Sequence, residues 1–508
     1  MSKWMNLSGS AACLALMTGS AAYADVNAQE VWSDWQSYMK GFGYETKATE
    51  ATSGDTLNIS DFEMTMQLPE GEGSIALNLG SLSLTNNGNG TVTVTLPASQ
   101  PMTIHVEPRG EGPVDLTLDY TNDGTTMLVS GTPEDMTYAY TANAIGMTLK
   151  EIVVDGKEVP VNAATATITG IVGSSNMKQG NLRSMTQEMK ASGLTYKIDM
   201  ADPENPSQFF KLDGGMADLE FAGTGTYPMG VFDPENMARM LAAGFAFDGA
   251  FTYQNGTMAF QFTGDGENAQ VNSSSESGSF NVAMSEAAIK HIIGAKGQSV
   301  NITGGDVPFP IDMKFAESLL KIITPVSKSD ETRDFAIGLT LGGFETSDMI
   351  WGLIDPAGQL PRDPATVAFD LSGKGKLGFD LMDPEQSAAL ERGEIENPGE
   401  IESLSLNNLE VTAAGASLTG TGAFEFDFPT VMATQGMQGT DGALDLRVSG
   451  ANGLMDKLVA MGLLPEDQAM GARMMMGMFA IPDGDDVLKS RIEMKPDGQV
   501  LANGQRLK

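Results

Sequence analysis

Asp370 and Asp380 are the two residues whose type and spacing come nearest to an acid/base pair. They lie in WGLIDPAGQLPRDPATVAFDLSGKGKLGFDLMDPE, Trp351 to Glu385, a run holding six carboxylates and three Asp-Pro steps. Val367, Phe369 and Leu371 alternate before SGKGK, and Leu377, Phe379 and Leu381 alternate after it, which predicts a hairpin turning at Gly375. That hairpin would oppose the two aspartates on its outer face, resembling a glycosidase pair with carboxyl groups roughly 5 to 9 Å apart. Lys374 and Lys376 favour a plainer reading, charge balance on a solvated face. With 66 Asp plus Glu in the chain, such pairs also arise by chance.

The second chemical feature is methionine, 33 residues in all, densest in EDQAMGARMMMGMFAIP. Met470, Met474 and Met478 repeat every four positions and form one soft helical stripe. Thioethers suit an adaptable lipid or peptide surface or copper(I), against the ordinary role of core packing. Other constellations lack residues. With only His105 and His291, a His-rich metal site is excluded and a Ser-His-Asp triad has just two bases to draw on; the sequence puts His105 in a strand and His291 in a helix. Ser175 with Lys178 and Ser318 with Lys321 fit Ser-x-x-Lys without its partner motifs. DYTNDGTT from Asp119 resembles a calcium loop but has Thr121 at the third position and Ser130 in place of the bidentate Glu. No nucleophile elbow, P-loop or dinucleotide fingerprint follows a strand, so neither metal nor cofactor is expected.

The elements that would hold these residues are mostly strands. MSKWMNLSGSAACLALMTGSAAYA reads as a secretory signal cleaved after Ala24. DVNAQEVWSDWQSYMKGFGYE, spanning 25–45, predicts an amphipathic helix capped by Asn27 with Glu30, carrying an aromatic stripe suited to docking on a sheet, and stopped at Gly41 and Gly43. From Thr56 the apolar period becomes two. SLSLTNNGNGTVTVTLP is hairpin grammar, and FEMTMQL, SIALNL, VDLTLDY, MTYAYT, ATATIT, LTYKIDM and FAFDGAFTYQNGTMAFQF continue the alternation.

Helical spacing recurs from Pro234, Ser285, Phe315, Ser347 and Pro384, and from Gly453 to Phe479 with a break at Pro465; RIEMKPDGQVLANGQRL then returns to strand, turn and strand. Asp-Pro-Glu steps follow strands at Asp202, Asp233 and Asp383, and the latter two precede helical spacing and read as helix starts, with Asp as cap, Pro at the first helical position and Glu in the first turn. The fold expected is β-rich α+β: an elongated antiparallel sheet, sandwich or open-barrel groove with short helices. Its divisions are a β-rich half over 46–235, a second over 236–450, and a helical segment with a final hairpin over 451–508.

Composition bounds the function. The net charge of −36 repels nucleic acid and anionic head groups. The single cysteine, Cys13, lies in the expected signal, so the mature chain has no disulfide and no thiol nucleophile. No later run is long and apolar enough to span a bilayer as a helix.

The signal, the DVNAQEVWSDWQSYMKGFGYE opening, the strand ladder and LIDPAGQLPRDPATVAFDLSGKGKLGFDLMDPE together resemble the bacterial family named domain of unknown function 2125. That resemblance implies a secreted or periplasmic β-rich protein and carries no active site with it. The function expected is a non-enzymatic envelope protein offering an apolar groove to a lipid, another amphiphile or a partner protein. The alternatives are a carboxylate hydrolase using Asp370 and Asp380 and a purely structural or adhesive exported protein.

Overall fold

A computed structural model of the chain describes residues 25–68, 71–202, 205–230, 232–264, 266–305, 307–434 and 438–507. The expected signal, residues 1–24, lies outside them, as do Pro203 and Glu204 of the first Asp-Pro-Glu step. Strand makes up 63% and helix 15%, the β-rich class that the alternation predicts. All 26 strands among the described residues join one antiparallel sheet.

The chain begins with α1 (Ala28–Gly41), which starts where its cap chemistry says it should. The Asn27 side chain accepts from the Glu30 amide at 3.0 Å and the Glu30 carboxylate from the Asn27 amide at 2.9 Å, so the capping box is complete. Then come β1 (Glu45–Ser53), β2 (Thr56–Gln67), β3 (Gly73–Asn78), β4 (Leu82–Asn86), β5 (Val92–Thr95), β6 (Ser99–Pro108), β7 (Val114–Asp123), β8 (Thr126–Thr132) and β9 (Asp135–Val154). Between the long strands β2 and β9 the sheet divides into two branches, β3–β6–β7 and β4–β5–β8. The β4–β5 hairpin is the one predicted from its Asn-Gly steps. Helix α1 closes over the second branch, and Val31, Trp32, Leu84, Val92 and Val129 are wholly buried there.

Beyond the short β10 (Lys157–Val159) a ladder of long strands follows: β11 (Val161–Lys178), β12 (Leu182–Ala201), β13 (Phe209–Pro228), β14 (Ala246–Gly264), β15 (Glu267–Met284), β16 (Ala288–Gly304) and β17 (Val307–Pro325). It continues through β18 (Arg333–Thr346), β19 (Ala365–Leu377), β20 (Gly399–Ala413), β21 (Ala416–Phe426) and β22 (Thr440–Ser449). Each pairs with the next, and the pairing of β13 with β14 carries the sheet across 235/236 without a gap. The end is built from β23 (Ile481–Gly484), β24 (Val487–Met494), β25 (Val500–Ala502) and β26 (Gln505–Arg506), with β24 paired to β22.

Helices fill the connections: α2 (Met237–Ala242), α3 (Asp348–Ile354), α4 (Pro384–Glu391), α5 (Phe428–Thr434), α6 (Ala451–Ala460) and α7 (Glu466–Phe479). Asp383 caps α4, accepting from the amides of Glu385 and Gln386 at 2.9 and 3.2 Å. Asp233 instead bonds the side chains of Asn236 and Arg239 and makes no backbone cap. Pro465 precedes α7, as its break in the helical pattern predicts.

The ladder is creased. Gly170, Asp218, Asn255, Gly297 and Gly343 all have φ between 48° and 63° in the middle of their strands, a conformation open mainly to Gly, Asn and Asp. They stand at one level: a Cβ on Gly170 would meet the Ser192 hydroxyl, one on Gly297 the Glu276 side chain, and one on Gly343 the Ala316 side chain. Each acts as a bulge, bending its strand and shifting the inward set by one residue. In β12 the covered positions are Arg183, Met185, Gln187, Met189 and Ala191 on one side of the crease and Leu194, Tyr196 and Ile198 on the other.

That inserted residue corrects two expectations. The helices expected from Ser285 and Phe315 are strands β16 and β17. In β17 the crease at Ala316 separates Phe315 from Ser318, Leu320 and Ile322, so a two-residue period broken once mimics helical spacing. His291 is therefore a strand residue. The hairpin expected at SGKGK is also absent, since β19 runs straight through it. Its glycines make room for neighbours: a Cβ on Gly373 would lie 2.3 Å from the Phe335 ring, and one on Gly375 2.4 Å from the Glu400 carbonyl oxygen. The calcium-like segment at Asp119 is strand β7, with Asp119 held by Lys150 at 3.1 Å.

Candidate functional site: an uncovered apolar face

Residues directly opposed across antiparallel strands share a face, so the register traces one row of side chains from strand to strand. Phe221, Phe251, Phe280 and Ile293 oppose one another in turn on β13 to β16. The row continues through Leu320, Leu339, Phe369 and Leu409 on β17 to β20. At a strand spacing of about 4.8 Å, eight strands make this row roughly 35 Å long. A parallel row runs through Val282, His291, Ile322, Ile337, Leu371 and Leu406. Phe280, Ile293, Leu320, Ile337 and Val367 remain between 37% and 45% exposed. A contiguous exposed apolar surface of this extent is the place to look for a ligand or partner, which makes it the candidate site.

Helices and loops border the face. At its β9 end, Trp35, Tyr38 and Met39 of α1 line a cavity of about 400 Å³ with Tyr138, Met177 and Met185. At its β24 end, Met475, Met476 and Phe479 of α7 line an open hollow of about 520 Å³ together with Leu446, Val448, Leu488 and Ile492. The α7 chain end is tied down by Ser490 and Asn503, whose side chains donate to the Phe479 carbonyl at 2.6 and 2.9 Å. One line of strand ends is plugged by Met240, Leu241, Phe245 and Val326, against which Met284 and Ile289 pack.

An ion pair anchors α1 to the ladder. Arg183 on β12 donates to Asp34, Gln179 adds a 2.7 Å bond to the same oxygen, and the guanidinium lies 5.4 Å from the Tyr38 ring centroid. Both charged residues are buried. Burial pushes the Asp34 carboxyl above its ordinary value despite the Arg183 charge, and burial pushes Tyr38 up to about 12. These groups hold each other and leave no free acid or base for chemistry.

The expected catalytic pair does not form. Asp370 faces the polar side, taking two bonds from the Lys321 ammonium at 2.7 and 2.6 Å and one from Asn407 at 3.2 Å. Asp380 lies beyond the strand end, accepting from the Lys328 amide at 2.8 Å and the Gln386 side chain at 3.4 Å. The two carboxylates sit in separate networks and share no cleft. Ser318 donates to Gln298 at 2.5 Å, while Lys321 points to Asp370. His105 is paired with Asp115 at 2.7 Å.

Met470, Met474 and Met478 do form a stripe, on the solvent side of α7 at 65%, 66% and 58% exposure. Met476 and Phe479 are the more covered large residues of α7, and Met475, 52% exposed, stands at the rim of the same hollow. The residues that sequence reasoning missed are the row itself. Their signal was present as alternation in every strand, hidden because the crease shifts its phase.

Among the described residues no helix is long and apolar enough to cross a membrane. No family model matches the chain. No curated protein matches it either. Among solved structures it is similar to BauA, the ferric preacinetobactin receptor from Acinetobacter baumannii, at 10% identity over 91% of this chain and 77% of that one; the TM-score of 0.12 is too low to carry any argument.

Proposed function

We propose that this protein is a non-enzymatic envelope protein of the secreted β-rich kind that its resemblance to domain of unknown function 2125 implies. It is exported by removal of residues 1–24 and binds a lipid or similar amphiphile along the apolar face of β13 to β20. One observation supports this above all: eight consecutive strands turn large apolar side chains to the same uncovered face. Acyl chains gain about 0.8 kcal/mol for each buried CH₂, so a row of this length offers a large gain without a polar cleft. A hydrolase reading loses its basis once Asp370 and Asp380 are held apart by their own partners.

The test is native mass spectrometry of residues 25–508 purified gently from the natural host, followed by solvent extraction. A stoichiometric amphiphile is expected, and Leu320→Asp with Ile337→Asp should abolish it while leaving the fold intact. A clean apo mass, together with no uptake of added lipid, would overturn the proposal.

A further inference from the structure

Core packing is the ordinary role of a methionine, and α7 does not give it to Met470, Met474 and Met478, which all stand largely in solvent. Their spacing sets neighbouring side chains one helical turn apart, about 5–6 Å between Cβ atoms. The unbranched arms are flexible enough for two such sulfurs to meet at one atom. Met470 and Met474 line one hollow with Glu466, Asp467 and Gly471. Gly471 and Gly477 flank the stripe, and a Cβ on either would meet nothing within 4 Å. Packing therefore does not require glycine at these two helix-interior positions, where each costs roughly 1 kcal/mol against alanine; its effect is to leave the sulfurs uncrowded. The one cation of the helix, Arg473, is turned to α6, where it donates to Asn452 and Asp456. What remains on the outer side is soft sulfur bordered by carboxylates.

Uncharged thioethers select a soft ion of low charge, copper(I), over zinc, magnesium or calcium. Harder ions lack a ligand set: among the described residues no group of three or more His, Cys, Asp and Glu side chains could hold a metal. The net charge of −36, with Glu466 and Asp467 at the rim of the hollow, attracts a cation. We propose that the outer face of α7 is a copper(I) site, a metal that the sequence motifs did not announce. Met470 and Met474 are its sulfur ligands, and Met478 offers Met474 a second partner one turn further on. Glu466 and Asp467 contribute charge. The site lies on α7, outside the apolar row of β13 to β20, and does not depend on what binds there.

The experiment is an anaerobic titration of residues 25–508 with copper(I), in competition with a chromophoric chelator, for the natural chain, the double variant Met470→Leu with Met474→Leu, and the double variant Met475→Leu with Met476→Leu. Leucine keeps the size and apolar character of each side chain, so a purely apolar contact would survive the change. The natural chain should take up copper(I). The first double variant should weaken it roughly tenfold or more, since even changes behind the ligands of a metal site cost that much, and the second should bind as the natural chain does. Silver(I) added to the natural chain labelled with ¹³C at its methionine methyls should shift Met470 and Met474 before the other methionines, a readout that needs no variant. No uptake of copper(I), equal uptake by the first double variant, or equal losses in both would overturn the site. Zinc or calcium held as tightly as copper(I) would overturn the sulfur ligands in favour of the carboxylates.

Discussion

The sheet differs on the two edges of strand β9. Towards β8 and β5, α1 closes the sheet and leaves Val31, Trp32, Leu84, Val92 and Val129 fully buried. Towards β13 and beyond, the same kind of alternating strand carries Phe280, Ile293 and Leu320 with no element above them. One region holds a packed core, and the other leaves its apolar row part-exposed. A helix of 14 residues makes the difference. The most extensive buried cluster therefore lies at the α1 end, while the apolar row of the ladder stays part-exposed.

Substitutions should separate the regions. Trp32→Ala removes a fully buried indole and its 2.7 Å bond to Glu50, so it should cost about 3–5 kcal/mol, read by urea unfolding and by lost hydrogen-exchange protection in α1, β4 and β5. A wild-type unfolding curve for that variant would erase the contrast. At the crease, Gly297→Val forces a β-branched residue into φ 57° with its Cβ 2.4 Å from Glu276. The strain alone should cost about 1–2 kcal/mol, whereas Ser299→Val, two residues along and off the crease, should change little. Phe280→Ser on the uncovered face should shift stability by less than about 1 kcal/mol and yet reduce binding of an apolar dye. A large loss of stability there would mean the face is already covered.

Acid should act in opposite senses on the two regions, and this is the smallest effect. Burial raises the folded pKa of Asp34 above 3.8, so the folded state binds that proton more readily than the unfolded chain and this group's contribution grows as pH falls. Asp483 is held below its ordinary 3.8 by Lys489 and Arg447, and Glu402 below 4.5 by Thr332 and Lys376. Their contributions are full above those ordinary values and fade as pH falls below them. Hydrogen exchange at pH 7 and pH 3.5 should show β20 to β24 loosening more than α1; equal loosening would contradict the linkage.

Much of this was legible in short windows. Asn27 and Glu30 announced α1, the Asn-Gly steps announced the β4–β5 hairpin, and Asp383 with Pro384 announced α4, because each signal acts within four residues. Windows failed where a distant strand decided the outcome. Gly373 and Gly375 look like a turn until Phe335 and the Glu400 carbonyl are seen to occupy the space above them. The same failure made Asp370 and Asp380 look like a pair, since their true partners, Lys321 and Lys328, are about fifty residues away in sequence.

The sequence by itself determined the β-rich class, the capped helix at the start, the break before α7 and the scarcity of histidine and cysteine, since residue supply and local periodicity suffice for these. Only the tertiary structure decided that the crease residues align across the ladder and that the apolar sets form one row. It also decided that His291 lies on that face while Met470, Met474 and Met478 face solvent. Register is the physical reason: a side chain's face in a sheet depends on every bulge between it and its neighbours, and that count is kept by hydrogen bonds between strands far apart in the chain.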